Sequence, residues 1–177
     1  MNSITQVSQN GLNLIKSFEG FSGTPYLDSV SVPTIGYGAT YYPGGTKVTL
    51  KDQPINESQA ADLLLNMLSS YEQAVDSFVV QEINENQFDA LVSFCYNLGA
   101  ANLKISTLLK KVNINPNDPT IANEFLKWDL AGGHVLAGLL RRRQAESALY
   151  FTPITSTDTS DDDQDTDQDV SDQDVQA

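Results

Sequence analysis

The sequence predicts an α+β fold that is mostly α: an N-terminal helix, a small antiparallel β-sheet, then a helical bundle. Three observations predict it. Apolar residues recur at helical spacing on both sides of a short stretch that lacks that period. That stretch, residues 21 to 50, alternates β-prone pieces with Pro and Gly, and six of the eleven glycines fall between Gly20 and Gly45. From Thr155 onward Asp, Gln, Ser and Thr dominate, so the folded domain is expected over 1–153 and a disordered acidic tail over 154–177.

Each element has its own signal. Ser8 caps a helix whose apolar stripe is Leu12, Ile15 and Phe18, and Gly20 stops it. Asn56 with Gln59 is a capping-box variant opening a helix to about Phe78. Asn84 with Gln87 repeats the device, and Phe88, Leu91, Val92 and Cys95 follow at helical spacing up to Gly99. That segment is apolar on most sides, which places it in the middle of the core. A shorter helix is expected over 106–112, and Asp118-Pro119 is a cap and first-turn pair for a helix ending near Asp129. Gly132-Gly133 breaks the chain, a last helix covers about 137–150, and Pro153 closes the fold.

Composition narrows the function. The 177 residues carry 10 bases and 23 acids, for a net charge of -13. Nine Asp lie after Thr155; without them 14 acids face 10 bases, about -4 for the body. A nucleic-acid partner is not expected, because phosphate binding needs a dense basic face. One cysteine and one histidine, Cys95 and His134, leave no internal disulfide and no Cys- or His-based metal cluster. No apolar run approaches the length of a membrane span, so membrane insertion is not expected. No secretory signal is read at the N-terminus, so a substrate outside the cytoplasm implies delivery by another agent.

Three polar groups in the first forty residues suggest chemistry. Glu19 ends the first helix, Asp28 lies in the first strand or turn, and Thr34 opens the second strand. A helix-to-hairpin junction brings them to one edge of the sheet. Two carboxylates on a cleft can cleave a glycosidic bond, one protonating the leaving oxygen and the other activating water. The negative end of the helix dipole and the flanking Phe18 and Phe21 disfavour a charged Glu19, which suits a proton donor. Asp28 lies among Thr24, Ser29 and Ser31, where a carboxylate stays charged, and the Thr34 hydroxyl can hold the water. On spacing alone such a pair is more often plain surface charge.

The segment SFEGFSGTPYLDSVSVPTIGYGAT resembles the catalytic segment of T4-type phage lysozymes, the endolysin muramidases. Glu19, Asp28, Thr34 and Gly36-Tyr37-Gly38 fit that pattern without a gap. LVSFCYNLGA (91–100) is similar to the family's central-helix segment, and GLLRRRQAESALY (138–150) to its final helix, so the resemblance covers about residues 8 to 152. It implies a lysozyme-like fold with Glu19 as general acid, Asp28 as second carboxylate and Thr34 placing water. The implied reaction is inverting hydrolysis of the β-1,4 bond between N-acetylmuramic acid and N-acetylglucosamine in peptidoglycan. No metal or organic cofactor is implied. The implied partners are peptidoglycan glycan strands, with a monomer held in the host cytoplasm until a holin releases it. The acidic tail departs from the pattern, since anionic walls favour a basic lytic enzyme.

Tyr26, two residues from Asp28, is the favoured sugar-stacking aromatic among Tyr26, Tyr37, Tyr41 and Tyr42, any of which is equally readable as packing. The resemblance makes Tyr96 and Asn97 substrate-binding residues; alone they read equally as a helix end. Arg141, Arg142 and Arg143 are expected to pair with Glu146 within the helix, and one of them is a candidate to reach Glu19. Cys95 and Trp128 read as core, and His134 as a loop or rim donor. Two other functions stay open: a lytic transglycosylase, which needs only one acid, and a non-catalytic wall-binding or virion-associated module.

Overall fold

The computed structural model describes residues 4–131 and 133–154. Its elements in chain order are α1 (Gln9–Glu19), β1 (Ser22–Leu27), β2 (Pro33–Gly36), α2 (Glu57–Phe78), α3 (Glu85–Leu98), α4 (Ala100–Ile105), α5 (Thr107–Val112), α6 (Ile121–Leu126), β3 (Leu130–Ala131), β4 (His134–Val135) and α7 (Ala137–Tyr150). The α+β, mostly α reading holds.

Local chemistry sets most boundaries. Ser8 Oγ accepts from the Asn10 and Gly11 backbone N–H groups, and Gly20, at φ 73, turns the chain off α1 directly after Glu19. Both capping boxes form, Asn56 with Gln59 and Asn84 with Gln87. The last helix covers 137–150 as expected.

One expected helix needs correction, and two short elements lie where none was expected. Gly99 ends α3, but the chain re-enters a helix at once as α4, a segment with no side-chain cap to announce it. The helix expected from Asp118-Pro119 to near Asp129 starts later and stops earlier, at Ile121 and Leu126. Asp118 spends its Oδ1 on the N–H and hydroxyl of Thr120, a local turn that delays the helix. The Gly132-Gly133 break is flanked by paired strands, with Leu130 opposite Val135 and Ala131 opposite His134. The disordered tail expected after Pro153 lies outside the described residues, apart from Ile154.

Two cores share α2. The larger is built around α3, whose residues from Asn86 to Cys95 are all buried, with α1, α2 and α7 packed on it. The smaller joins Ile35, Ala39 and Val48 from the sheet region to Leu63 of α2, and Met67 touches both. The groove between these bodies is where the site lies.

The start of α1 is pinned by two acids that periodicity did not single out. Asp89 of α3, fully buried, accepts from Ser8 N (2.9 Å), Ser8 Oγ (2.5 Å) and Gly11 N (3.0 Å), while Glu72 of α2 accepts from Val7 N (2.9 Å). Gly11 is required there because a Cβ would stand 2.5 Å from Asp89 Cγ. Burial pushes both carboxyls up, against the lowering effect of the hydrogen bonds they accept.

Candidate active site

Glu19 is the last residue of α1, and its carboxylate meets a guanidinium from the opposite end of the chain. Arg142 Nη1 of α7 donates to Glu19 Oε1 at 2.5 Å. The Glu19 side chain keeps 23% of its surface open and Arg142 only 4%, so the acid faces solvent and its partner sits behind it. The sequence named the arginine trio and not which member reaches the acid.

Arg142 is itself braced. Its Nε donates to Glu146 Oε1 (3.2 Å), its Nη2 to the Ser93 carbonyl (3.4 Å), and its guanidinium lies over the Phe18 ring at 5.6 Å. Arg143 Nη2 donates to Glu146 Oε1 (2.8 Å) and to Asn97 Oδ1 (3.0 Å), and Ser93 Oγ donates to Glu146 Oε1 (2.8 Å). Arg143 Nε stands 2.8 Å from Glu146 Oε2 as an ion pair, and neither atom has a hydrogen-bond partner among the described residues. Burial pushes the Glu146 carboxyl up and the Arg143 guanidinium down, while their mutual attraction opposes both. The intrahelical Arg–Glu pairing expected from spacing is present, buried rather than on the surface.

Asp28 sits in the turn between β1 and β2. Its Oδ1 accepts from Val30 N (2.9 Å) and Val32 N (2.8 Å), and Asp28 N donates to the Val32 carbonyl (3.0 Å). Its Oδ2 has no hydrogen-bond partner among the described residues. Thr34 pairs with Tyr26 across the sheet, is nearly buried, and donates its hydroxyl to the Val32 carbonyl at 3.0 Å. That bond commits the hydroxyl proton and leaves the oxygen's lone pairs as acceptors.

Three hollows meet at Glu19. One of about 490 Å³ is lined by Glu19, Gly38, Met67, Tyr71, Tyr96 and Asn97. A second, about 670 Å³, runs along α7 past Asn97, Leu136, Leu139, Arg141 and Arg142. A third, about 340 Å³, holds Glu19, Phe21 and Tyr26. The structure therefore brings Glu19, Tyr26, Tyr96 and Asn97 to one groove; Asp28 and Thr34 do not line these three hollows. Burial, and next the Glu19 charge, push the Tyr96 hydroxyl up, and Tyr71 packs edge-on to it at 5.2 Å. Tyr37 is buried and Tyr42 donates to Asp52 Oδ2 (3.0 Å), so both take the packing role. Trp128 stands edge-on to Phe94 at 5.6 Å, Cys95 is buried in the core and His134 is exposed. Sequence reasoning missed Tyr71 and Ser70 of α2 on the groove and Ser93 behind it.

The phage lysozyme family model matches residues 16–146. The chain belongs to the phage lysozyme family. The family match contains Glu19, Asp28, Thr34, Asn97 and Arg142. The chain is 43% identical to the endolysin of Bacillus phage B103 over 148 residues, 82% of this chain and 54% of that protein. It is 36% identical to the endolysin of Salmonella phage P22 over 147 residues, 83% of this chain and 99% of that one. The chain thus spans about half the length of the B103 relative and nearly all of the P22 one. A solved P22 lysozyme mutant superimposes with a TM-score of 0.77 at 35% identity, covering 84% of this chain and 100% of that one. The solved muramidase domain of SpmX from Asticaccaulis excentricus gives a TM-score of 0.70 at 33% identity, over 84% of this chain and 99% of that one.

Proposed function

We propose that this phage lysozyme is an endolysin that hydrolyses the β-1,4 bond between N-acetylmuramic acid and N-acetylglucosamine in peptidoglycan. The observation that carries the reading is a partly open Glu19 carboxyl at the meeting point of three hollows, braced from behind by buried Arg142. A groove of that form suits an extended glycan strand crossing the acid.

In the proposed reaction the protonated Glu19 gives its proton to the glycosidic oxygen as the bond from the anomeric carbon breaks. Water attacks that carbon from the opposite face and passes its proton to Asp28, with Thr34 accepting a hydrogen bond from the water. Arg142 stabilises the carboxylate that Glu19 becomes, so its help grows as the proton leaves. Tyr26, Tyr96 and Asn97 contact the sugars. The protein acts as a monomer, held in the host cytoplasm until a holin opens a route to the wall.

Product analysis of purified peptidoglycan tests this. The wild type is expected to release free reducing ends that are initially the α-anomer, and Glu19→Gln to lose roughly 10²–10⁴-fold in rate. Anhydro ends, or equal clearing by both proteins, overturn the proposal.

A further inference from the structure

We infer that Arg143 is a positioning residue that fixes which way the Asn97 amide faces, so that the groove beside Glu19 presents N–H donors and selects an acceptor-only group, an acetamido carbonyl on the glycan. The inference rests on the glycan-cleaving function proposed above. Arg143 is fully buried and clamped on several sides. Glu146 takes its Nη2 donor at 2.8 Å and attracts its Nε, while the Phe94 ring lies 5.1 Å from the guanidinium carbon. The same Nη2 donates to Asn97 Oδ1 at 3.0 Å. A guanidinium carries five donors and no acceptor, so the Asn97 atom that faces it is the oxygen and never the nitrogen. Asn97 Nδ2 has no hydrogen-bond partner among the described residues, and Asn97 lines both of the larger hollows that contain Glu19.

An unrestrained asparagine would not discriminate, because its amide can turn over and offer either end. Sugar hydroxyls would not register the difference, since each both donates and accepts. An acetamido carbonyl only accepts. Removing the acetyl group leaves an ammonium, which only donates and would confront the Nδ2 donors.

The test compares kcat/KM on fully N-acetylated and de-N-acetylated peptidoglycan for wild type, Asn97→Asp and Arg143→Lys, with thermal melts on each. Asn97→Asp keeps a partner for Arg143 but has no N–H to offer. The wild type is expected to prefer the N-acetylated strand by about tenfold, the scale of one lost hydrogen bond with its donor left unpaired. Asn97→Asp is expected to bring that ratio to about one. Arg143→Lys, which cannot hold Glu146 and Asn97 together, is expected to lower the ratio as well as the melting temperature. An unchanged ratio in Asn97→Asp overturns the inference, as does an Arg143→Lys variant that loses rate equally on both strands. If Arg143→Lys does not fold, Asn97→Asp decides alone. Failure of the wild type to cleave either strand defeats the glycosidase reading instead, whereas equal cleavage of both defeats only this inference.

Discussion

The two candidate catalytic carboxylates, Glu19 and Asp28, are held in opposite ways. Behind Glu19 the braces come from far along the chain: Arg142 is 123 residues away, Ser93 and Glu146 are 53 apart, and Asn97 and Arg143 are 46 apart. Those charges are buried, where an unpaired ion is costly. Around Asp28 the hydrogen-bond partners, Val30, Ser31 and Val32, lie within four residues, and Val30 is 75% exposed. One carboxylate is therefore placed by the tertiary fold and the other by a self-contained turn. Damage to the bracing of Glu19 should cost stability and activity together, while damage to the turn at Asp28 should cost activity alone.

The largest expected effect breaks the bracing behind Glu19. Glu146→Ala strips Arg142 and Arg143 of their shared buried counter-ion and should cost about 3–5 kcal/mol in denaturant unfolding, with activity lost in parallel as Arg142 shifts. A fully stable Glu146→Ala protein would undo the comparison. In the β1–β2 turn, Asp28→Asn still offers an oxygen to Val30 and Val32 N–H. Its unfolding free energy should stay within about 0.5 kcal/mol of wild type while turnover falls about 10²-fold; a large stability loss would show the turn is not self-contained.

A smaller effect probes the remote end of α1. Gly11→Ala gains up to about 1 kcal/mol of helix propensity but drives a methyl into Asp89, an overpacking cost of about 1–3 kcal/mol. A lower melting temperature is expected, and a rise would mean that Asp89 is not a rigid anchor. The smallest effect is a pH slope. The folded Asp89 carboxyl is raised by burial, so the folded state binds more protons than the unfolded chain between about 3.9 and its raised value. Its contribution to stability is greatest below that window and falls as pH rises through it. Measured as wild type minus Asp89→Asn, stability should decline with rising pH there; a flat difference refutes the assignment.

The same contrast explains what the sequence discloses. The ends of α1, α2 and α3 were legible because Ser8, Asn56, Asn84, Gly20 and Gly99 act on backbone groups a few residues away. The start of α6 was not, because Asp118 Oδ1 is taken by Thr120 in a local turn and Thr120 makes no side-chain cap of its own. Glu19, Tyr96 and Asn97 were legible as site candidates through the family pattern. The pairing of Arg142 with Glu19, the Asn97–Arg143 bond and the Asp89 anchor are tertiary contacts, which periodicity does not encode. Asp89 left one trace, a lone charge inside the apolar run from Phe88 to Cys95.

Cys95 offers a use of a different kind. It is the only cysteine, lies fully inside the α3 core, and burial pushes its thiol up to about 11, so at neutral pH it is a neutral group that reagents cannot reach. Covalent labelling of this sulfur therefore requires the central helix to open, and its rate under native conditions clocks that opening without any engineered probe.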